Sequence, residues 1–461
     1  DRVGILYQRG GANEMDAVYT FPHRSFQEYL AASYFRRDAN AVLDYFEEHC
    51  AETGVELEGE SWQYIAAHLG KTDPDRWREV VVLLGGMKSL KDSGPVWDLL
   101  GELIEEGDGE YTSQQQAWGM RLAAEILADS LDRSSLKRKK LRTFNDIQQA
   151  LPDLLGTTDL PARERVAIGN YLAEIGDPRP EVHDVDAMPF CFVPKGEFWM
   201  GRVEKDGDAP EGAKETPAGN YGLSYDYWIS QYPISVAQFR AFIEAEKIEY
   251  AHPIYLNKPD NTPMVSMTQP EAVQFCEWLT KRWQSEGLIS EQWRVMLPNE
   301  PEWEKAARGG EQVLTTPFIR SAKDKAFEMT EITGAMQDNI NPQRVYACGD
   351  EATDEKVNCG RSINSPSAMG VYPLGGSPYG CHDLNGNVWE WTRSEKSEYP
   401  FPEVGTQAWE EQEAKELSDC VLRGGAFDYS QDYVRCAIRN YSRPGFRVSS
   451  IGFRVVLSPL L

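Results

Sequence analysis

Glu390 poses the first chemical question in this chain. It stands between Trp389 and Trp391, directly after the turn Gly380-Cys381-His382-Asp383-Leu384-Asn385-Gly386-Asn387-Val388. A carboxylate in an aromatic setting needs a partner, and a cation is the natural one. Gly and Asn supply the backbone angles that such a turn requires. A tight glycine turn can also aim carbonyls inward, and calcium takes several hard oxygens at short range. A second concentration of chemistry follows in residues 421–461. Six arginines there face only Asp428 and Asp432, although the chain as a whole carries a net charge of -26. Short strands in this stretch end in arginines, in Leu422-Arg423-Gly424-Gly425 and in Ile451-Gly452-Phe453-Arg454. The stretch is rich in Tyr, Ser, Asp, Asn and Gly, the palette of antibody-like paratopes.

Other chemistries find less support. The eight cysteines show no paired CxxC spacing, which excludes a zinc module, and they are too sparse for a disulfide scaffold. A reduced, cytoplasmic protein is the expectation. The six histidines (His23, His49, His68, His183, His252 and His382) are scattered, so no iron-binding cluster is visible. There is no GxxxxGK[ST] motif and hence no phosphate loop. The strongly acidic balance argues against binding nucleic acid or an anionic membrane, and no apolar run is long enough to span a bilayer.

The elements that must position these residues fall into two parts. At 461 residues, 41% hydrophobic and 11% aromatic, the chain has material for two or three domains with a real core. It begins at Asp1, reads there like the middle of a domain, and is expected to be a fragment of a longer protein. Residues 1–35 carry a strand signal at Ala17-Val18-Tyr19-Thr20-Phe21, then a helix capped by Ser25 with Glu28. Residues 36–180 read as an all-helical, repeat-like region, with helices over 77–84, 96–104, 117–127 and 163–175. Lys137-Arg138-Lys139-Lys140 is a basic run at a solvated helix end. Gly176-Asp177-Pro178-Arg179-Pro180 closes the region, and residues 181–187 read as an acidic linker. From 188 onward short strands and long loops dominate. Helices are predicted at 235–245, 270–283 and 300–308, capped by Ser235 with Gln238, Thr268 with Glu271, and Asn299 with Glu302.

Residues 188–461 resemble the formylglycine-generating enzyme family, also called the sulfatase-modifying-factor domain, a variant of the C-type lectin fold. The resemblance rests on Phe198-Trp199-Met200-Gly201, Tyr232-Pro233-Ile234-Ser235, Leu297-Pro298 with Glu302-Trp303-Glu304, and Ala306-Ala307-Arg308-Gly309-Gly310. It continues through Gly386 to Trp391, Arg423-Gly424-Gly425 and Gly452-Phe453-Arg454. It implies an α+β domain of low regular content. It also implies structural calcium on Asp383, the carbonyls of Gly386 and Val388, and Glu390. The family's second calcium site maps onto Asn358, Cys359, Tyr372 and Leu374, with Tyr372 where a carboxylate is expected. The family's oxidases use two cysteines five residues apart to bind copper(I). Cys436 matches the second, and Gln431 stands where the first would fall. No copper and no enzyme activity are therefore expected, with Cys436 vestigial. The segment from Phe21 to Ala32 resembles the end of the winged-helix region of NACHT-type signalling ATPases, in which the position of His23 faces the nucleotide phosphate.

The same fold displays the variable proteins of diversity-generating retroelements. There, Asn codons are copied with errors into codons that never encode Glu, Lys, Gln, Met or Trp. From Val421 to Leu461 only Gln431 belongs to that set. The resemblance then implies a variable region of about 421–451. Its ligand-facing residues are Asp428, Tyr429, Asp432, Tyr433, Asn440, Tyr441, Ser442, Arg443, Phe446, Arg447 and Ser449. Arg423, Gly424, Gly425, Arg435, Cys436, Gly452 and Phe453 are framework. The expected function is a receptor domain that binds a protein through this face and is coupled to an upstream NACHT-type ATPase. The alternatives are a formylglycine-generating-type oxidase acting on cysteine and a non-variable structural adaptor.

Overall fold

The computed structural model describes residues 7–10, 18–20, 61–86, 94–130, 136, 138–207, 215–324, 327, 334–397 and 419–459. His23 and the helix expected after it lie outside these residues, as does Lys137 of the basic run. The chain divides into two compact units. One holds Asp1–Leu154 with Glu174–Gly176, and the other holds Leu155–Ala173 with Asp177–Leu461.

The first unit opens with a strand pair, β1 (Tyr7–Gly10) and β2 (Val18–Thr20), and continues as helices. These are α1 (Trp62–Thr72), α2 (Pro74–Gly86), α3 (Gly94–Ile104), α4 (Ser113–Ser130) and α5 (Arg138–Leu155). Each buries a stripe at helical spacing. In α3 the stripe is Val96, Leu99, Leu100 and Leu103, all buried. Among the described residues no helix is long and apolar enough to cross a membrane.

The second unit begins before the lectin-like strands. Helix α6 (Ala162–Ile175) carries the fully buried Arg165. Its Nε donates to the Val371 carbonyl at 2.8 Å and its Nη2 to Glu355 at 3.1 Å. Gly169 permits the contact, since a Cβ there would stand 2.7 Å from the Ala368 side chain. The stretch 181–187 is folded: α7 (Pro180–His183) and a 3-10 turn bury Val182 and Val185. Asp186 there accepts from Arg282 Nε at 3.1 Å and from Trp283 Nε1 at 2.8 Å.

Thirteen short strands follow, interleaved with three helices. The strands are β3 (Phe190–Val193), β4 (Gly196–Met200), β5 (Gly219–Leu223), β6 (Tyr227–Ser230), β7 (Trp293–Met296), β8 (Gln312–Leu314) and β9 (Ile319–Arg320), then β10 (Met336–Asp338), β11 (Trp389–Glu395), β12 (Cys420–Arg423), β13 (Asn440–Ser442), β14 (Ile451–Gly452) and β15 (Val456–Pro459). A five-stranded sheet runs β7-β15-β6-β3-β9, and a four-stranded sheet runs β13-β12-β11-β14. The one parallel pairing among the described strands sets Glu390 opposite Gly452. Helices α8 (Val236–Ala245), α9 (Gln269–Ser285) and α10 (Glu300–Arg308) start where their capping boxes dictate. At α10 the Glu302 N–H donates to Asn299 Oδ1 and the Asn299 N–H to Glu302 Oε2, both at 2.7 Å. Gly309, at φ 82°, ends that helix. Phe239, Phe242, Phe275, Trp283, Trp228 and Phe453 form the aromatic centre of the core.

Candidate functional site

The cation that Glu390 requires is Arg454. The parallel pairing of β11 with β14 brings the arginine that follows β14 beside the carboxylate. Arg454 Nε donates to Glu390 Oε2 and Nη2 to Oε1, each at 2.7 Å, and Trp303 Nε1 donates to Oε2 at 2.6 Å. All three side chains are fully buried. Trp303 belongs to α10, whose nine residues Glu-Pro-Glu-Trp-Glu-Lys-Ala-Ala-Arg are all buried. Each of its three glutamates has an arginine partner. Glu300 accepts from Arg423 Nη1 at 2.7 Å and from Arg439 Nε at 2.5 Å. Glu302 accepts from Arg393 at 2.7 Å and from the Tyr225 hydroxyl at 2.9 Å. Glu304 accepts from Arg308 at 2.9 Å, Arg423 at 2.6 Å and the Gly201 N–H at 2.8 Å. Lys305 has no carboxylate in contact: it donates to the carbonyls of Pro194 and Gly196, and burial pushes its pKa down to about 7.

These pairings account for the local excess of arginine in residues 421–461. Of the six arginines, Arg423, Arg435, Arg439 and Arg454 are buried, each on glutamates. Arg447, expected as a polar anchor for a ligand, donates to Glu271 at 2.6 Å and to the Ser266 carbonyl at 3.1 Å. It braces the start of α9. Burial would raise the Glu271 carboxyl, but Arg447 and the Thr268 cap outweigh burial and hold it below the usual range. Arg443 alone of the six is exposed.

The structure separates the two classes of residue that the sequence reading named. Arg423, Gly424, Gly425, Arg435, Cys436, Gly452 and Phe453 are buried. Asp432, Tyr433, Arg443, Phe446 and Ser449 are exposed, and Asp428, Tyr429, Asn440, Tyr441, Ser442 and Arg447 are half-buried. The first cluster is a turn. Tyr429 packs edge-on to Trp389 at 5.4 Å and against Tyr433 at 5.6 Å, and its carbonyl accepts from the Gly360 N–H at 2.7 Å. The second begins on β13, the edge of the four-stranded sheet, where Tyr441 lies under Lys396 at 4.7 Å. It ends in a turn closed by the Phe446 N–H on the Arg443 carbonyl at 2.9 Å and held by the Gln269 N–H on the Pro444 carbonyl at 3.0 Å. Phe446 is 50% exposed and Tyr433 37%. Sequence reading missed the carboxylates of α10 and Glu271, which hold the arginines in place. The local Glu-x-Glu-x-Glu spacing was the available signal, but nothing in it says which arginine each acid meets.

The four residues expected to hold calcium do not form a calcium shell. Both Glu390 oxygens are occupied by Arg454, and the Gly386 carbonyl accepts from the Val388 N–H at 2.9 Å. Of the two side chains in the set, Asp383 keeps one oxygen, Oδ2, buried without a partner among the described residues, and burial pushes its carboxyl up to about 7. The side chains by themselves fall well short of the six to eight oxygens that calcium takes. Tyr372, of the second mapped set, is likewise buried. No group of three His, Cys, Asp or Glu side chains among the described residues is disposed to hold a metal. Cys436 is fully buried, with Asn385 Nδ2 at 3.9 Å, and burial pushes its thiol up to about 12. Gln431 is exposed and donates to the Ala352 carbonyl at 3.1 Å.

The chain is similar to several known proteins. Serine/threonine-protein kinase pkn1 of Chlamydia pneumoniae is 25% identical over 320 residues, covering 65% of this chain and 42% of that protein. The chain thus spans less than half the length of that relative. Formylglycine-generating enzyme of Bos taurus is 23% identical, covering 57% of this chain and 72% of the enzyme. Hercynine oxygenase of Mycolicibacterium thermoresistibile is 30% identical, covering 43% and 36%. Among solved structures, Treponema denticola variable protein 1 is 17% identical with a TM-score of 0.38, covering 59% of this chain and 95% of that one. Relatives named as enzymes overturn the expectation that this chain stands apart from catalysis: its relatives belong to an enzyme family. The sulfatase-modifying factor enzyme 1-like domain matches residues 177–459, more than half of the chain, and the chain belongs to that family.

Proposed function

We propose that the second unit is a ligand-binding receptor domain of the diversity-generating retroelement type, which displays its C-terminal turns to a protein ligand. Burial supports this reading. All seven residues assigned to the framework are buried, and none of the eleven assigned to the ligand face is. Substitution at the eleven would therefore leave most of the core untouched, as a diversified surface requires. Tyr433 and Phe446 supply exposed aromatic area and Arg443 a polar anchor. Arg447 and Tyr441 are better placed to support the two turns than to meet a ligand directly. The proposal includes a cytoplasmic setting and an upstream NACHT-type ATPase in the same polypeptide, whose resting and active states ligand binding would bias.

The test is deep sequencing of the 3′ end of the gene across isolates of one lineage. Substitutions concentrated at 428–433 and 440–449, with Gly452-Phe453-Arg454 constant, are expected. An invariant stretch would sink the proposal.

A second reading, oxidation of a cysteine substrate, is favoured by the relatives named for formylglycine generation and by Cys436. It predicts oxygen uptake with a cysteine-containing peptide that is lost in Cys436→Ser.

A further inference from the structure

A cleft of about 600 Å³ lies in the second unit between α9 and β7, with Arg393 of β11 in its lining. That volume is in the range of small-molecule sites. Strand β7 pairs only with β15, so its other side is a sheet edge. Side chains seal that edge. Thr280 Oγ1 accepts from the Val295 N–H at 2.9 Å and stands 3.2 Å from the Val295 carbonyl. Gln284 Nε2 donates to the Trp293 carbonyl at 3.1 Å, and Arg393 Nη1 donates to the Leu297 carbonyl at 2.6 Å. Thr280, Gln284 and Arg393 all line the cleft. The buried Cys276, Val295 and Leu297, with the half-buried Val273 and Met296, supply its apolar wall. Burial pushes the Cys276 thiol up, so it acts there as a small apolar group. Three exposed charges, Glu277, Lys281 and Arg294, complete the lining. Neither Lys281 nor Arg294 makes a hydrogen bond or an ion pair with another described residue. Glu277 stands one turn before Lys281 on α9, so the acid neighbours the lysine and Arg294 is left unbalanced. Arg393 is already matched, by Glu302 at 2.7 Å.

We propose that this cleft binds a small apolar monocarboxylate of the fatty-acid type, its hydrocarbon against Val273, Cys276, Val295 and Leu297 and its carboxylate on Arg294. The apolar body follows from the sealed edge. An extended peptide binds a sheet edge through backbone hydrogen bonds, and here the carbonyls of Trp293, Val295 and Leu297 are already taken. Its own N–H and C=O groups would be buried unpaired. A hydrocarbon needs no such partners. The single negative charge follows from the rim, where two unpaired cations stand against one carboxylate. A second anionic group would meet Glu277. The Arg294 guanidinium can grip a carboxylate through two parallel N–H donors, which a lysine cannot offer. None of the eleven residues assigned to the ligand face lines the cleft, so the site stands apart from the proposed receptor surface.

Calorimetric titration of the full chain with sodium decanoate tests this, with decan-1-ol and the peptide acetyl-Val-Leu-Leu as comparators. Saturable binding of a single decanoate per chain is expected. The alcohol and the peptide should each bind about tenfold more weakly or worse. Arg294→Ala should weaken decanoate binding about tenfold and leave binding of the alcohol unchanged. Arg294→Lys should recover part of the loss. Val273→Trp, which sets an indole in the cleft, should abolish binding of both. No saturable decanoate binding, equal affinity for the alcohol, a peptide that binds as tightly, or an Arg294→Ala chain that binds decanoate undiminished each overturns the proposal. If Val273→Trp does not fold, the Arg294→Ala comparison decides, since Arg294 is exposed and unpaired.

Discussion

Helices α3 and α10 solve the same problem, burial against a core, in opposite ways. Helix α3 lies in the first unit and hides one stripe of aliphatic side chains while its polar residues face outward. Helix α10 lies in the second unit and hides every side chain, three glutamates, a lysine and an arginine included. Hydrophobic burial is non-directional, so α3 needs only the right periodicity. A buried glutamate needs a specific partner in a specific place, because an unpaired charge in the interior is very costly. The first unit can therefore absorb change at many positions with graded loss. The interior of the second is held by charge pairs that fail singly and hard. The proposed variable surface would suit the second arrangement, because the framework beneath it is held by contacts that its exposed residues do not make.

The contrast can be broken first at the ion pairs. Glu300→Ala removes the carboxylate on which Arg439 is buried and leaves Arg423 with Glu304, and should cost the second unit about 3–5 kcal/mol. Chemical unfolding followed by tryptophan fluorescence measures it, and a loss below about 1 kcal/mol would show that the network is not what holds α10. Leu99→Ala in α3 should cost about 2–4 kcal/mol and lower only the first unit's transition. Two resolved transitions in calorimetry, with one of them unmoved, check that. Arg165→Ala removes the buried guanidinium that ties α6 to Val371 and Glu355. It should destabilise the second unit by about 2–3 kcal/mol, read as earlier proteolysis of 155–459.

A smaller effect sharpens the comparison at its margin. The folded Glu271 carboxyl lies below its ordinary range, so its pairing with Arg447 contributes stability above the ordinary glutamate pKa. That contribution is lost as pH falls through the lower, folded value. The pair is half-exposed, so the contribution is about 1 kcal/mol or less. Glu271→Gln should flatten this part of the stability profile between about pH 5 and pH 3. An unchanged acid limb would count against the pairing. Smallest of all, Tyr433→Ala and Phe446→Ala should shift the melting midpoint by no more than about 0.5 kcal/mol in equivalent stability. The same two variants should sharply weaken binding to an identified ligand. A large loss of stability would move both residues from the surface to the framework.

Much of the local structure was legible. The capping boxes at Ser235, Thr268 and Asn299 placed three helix starts, because a cap is a contact between residues three apart. In 421–461 the motif glycines and arginines taken as framework are buried, and the small polar and aromatic residues between them are half-buried or exposed. The partners were not legible. Arg447 looks free in sequence and is held by Glu271, far away in the chain. The turn before Glu390 looks like a calcium loop, yet the cation beside it is Arg454.

The amino-acid order by itself determined the elements: where helices begin, which turns need glycine, and which stretch carries an unusual residue palette. Those depend on neighbours within one turn of chain. The tertiary structure alone decided which charge meets which, and that most of the C-terminal arginines point inward. Glu390 meets an arginine 64 positions away, Glu300 one 123 positions away and Glu271 one 176 positions away. Buried charge pairs are short-range and directional, so their meaning resides in the partner, and only the folded chain supplies it.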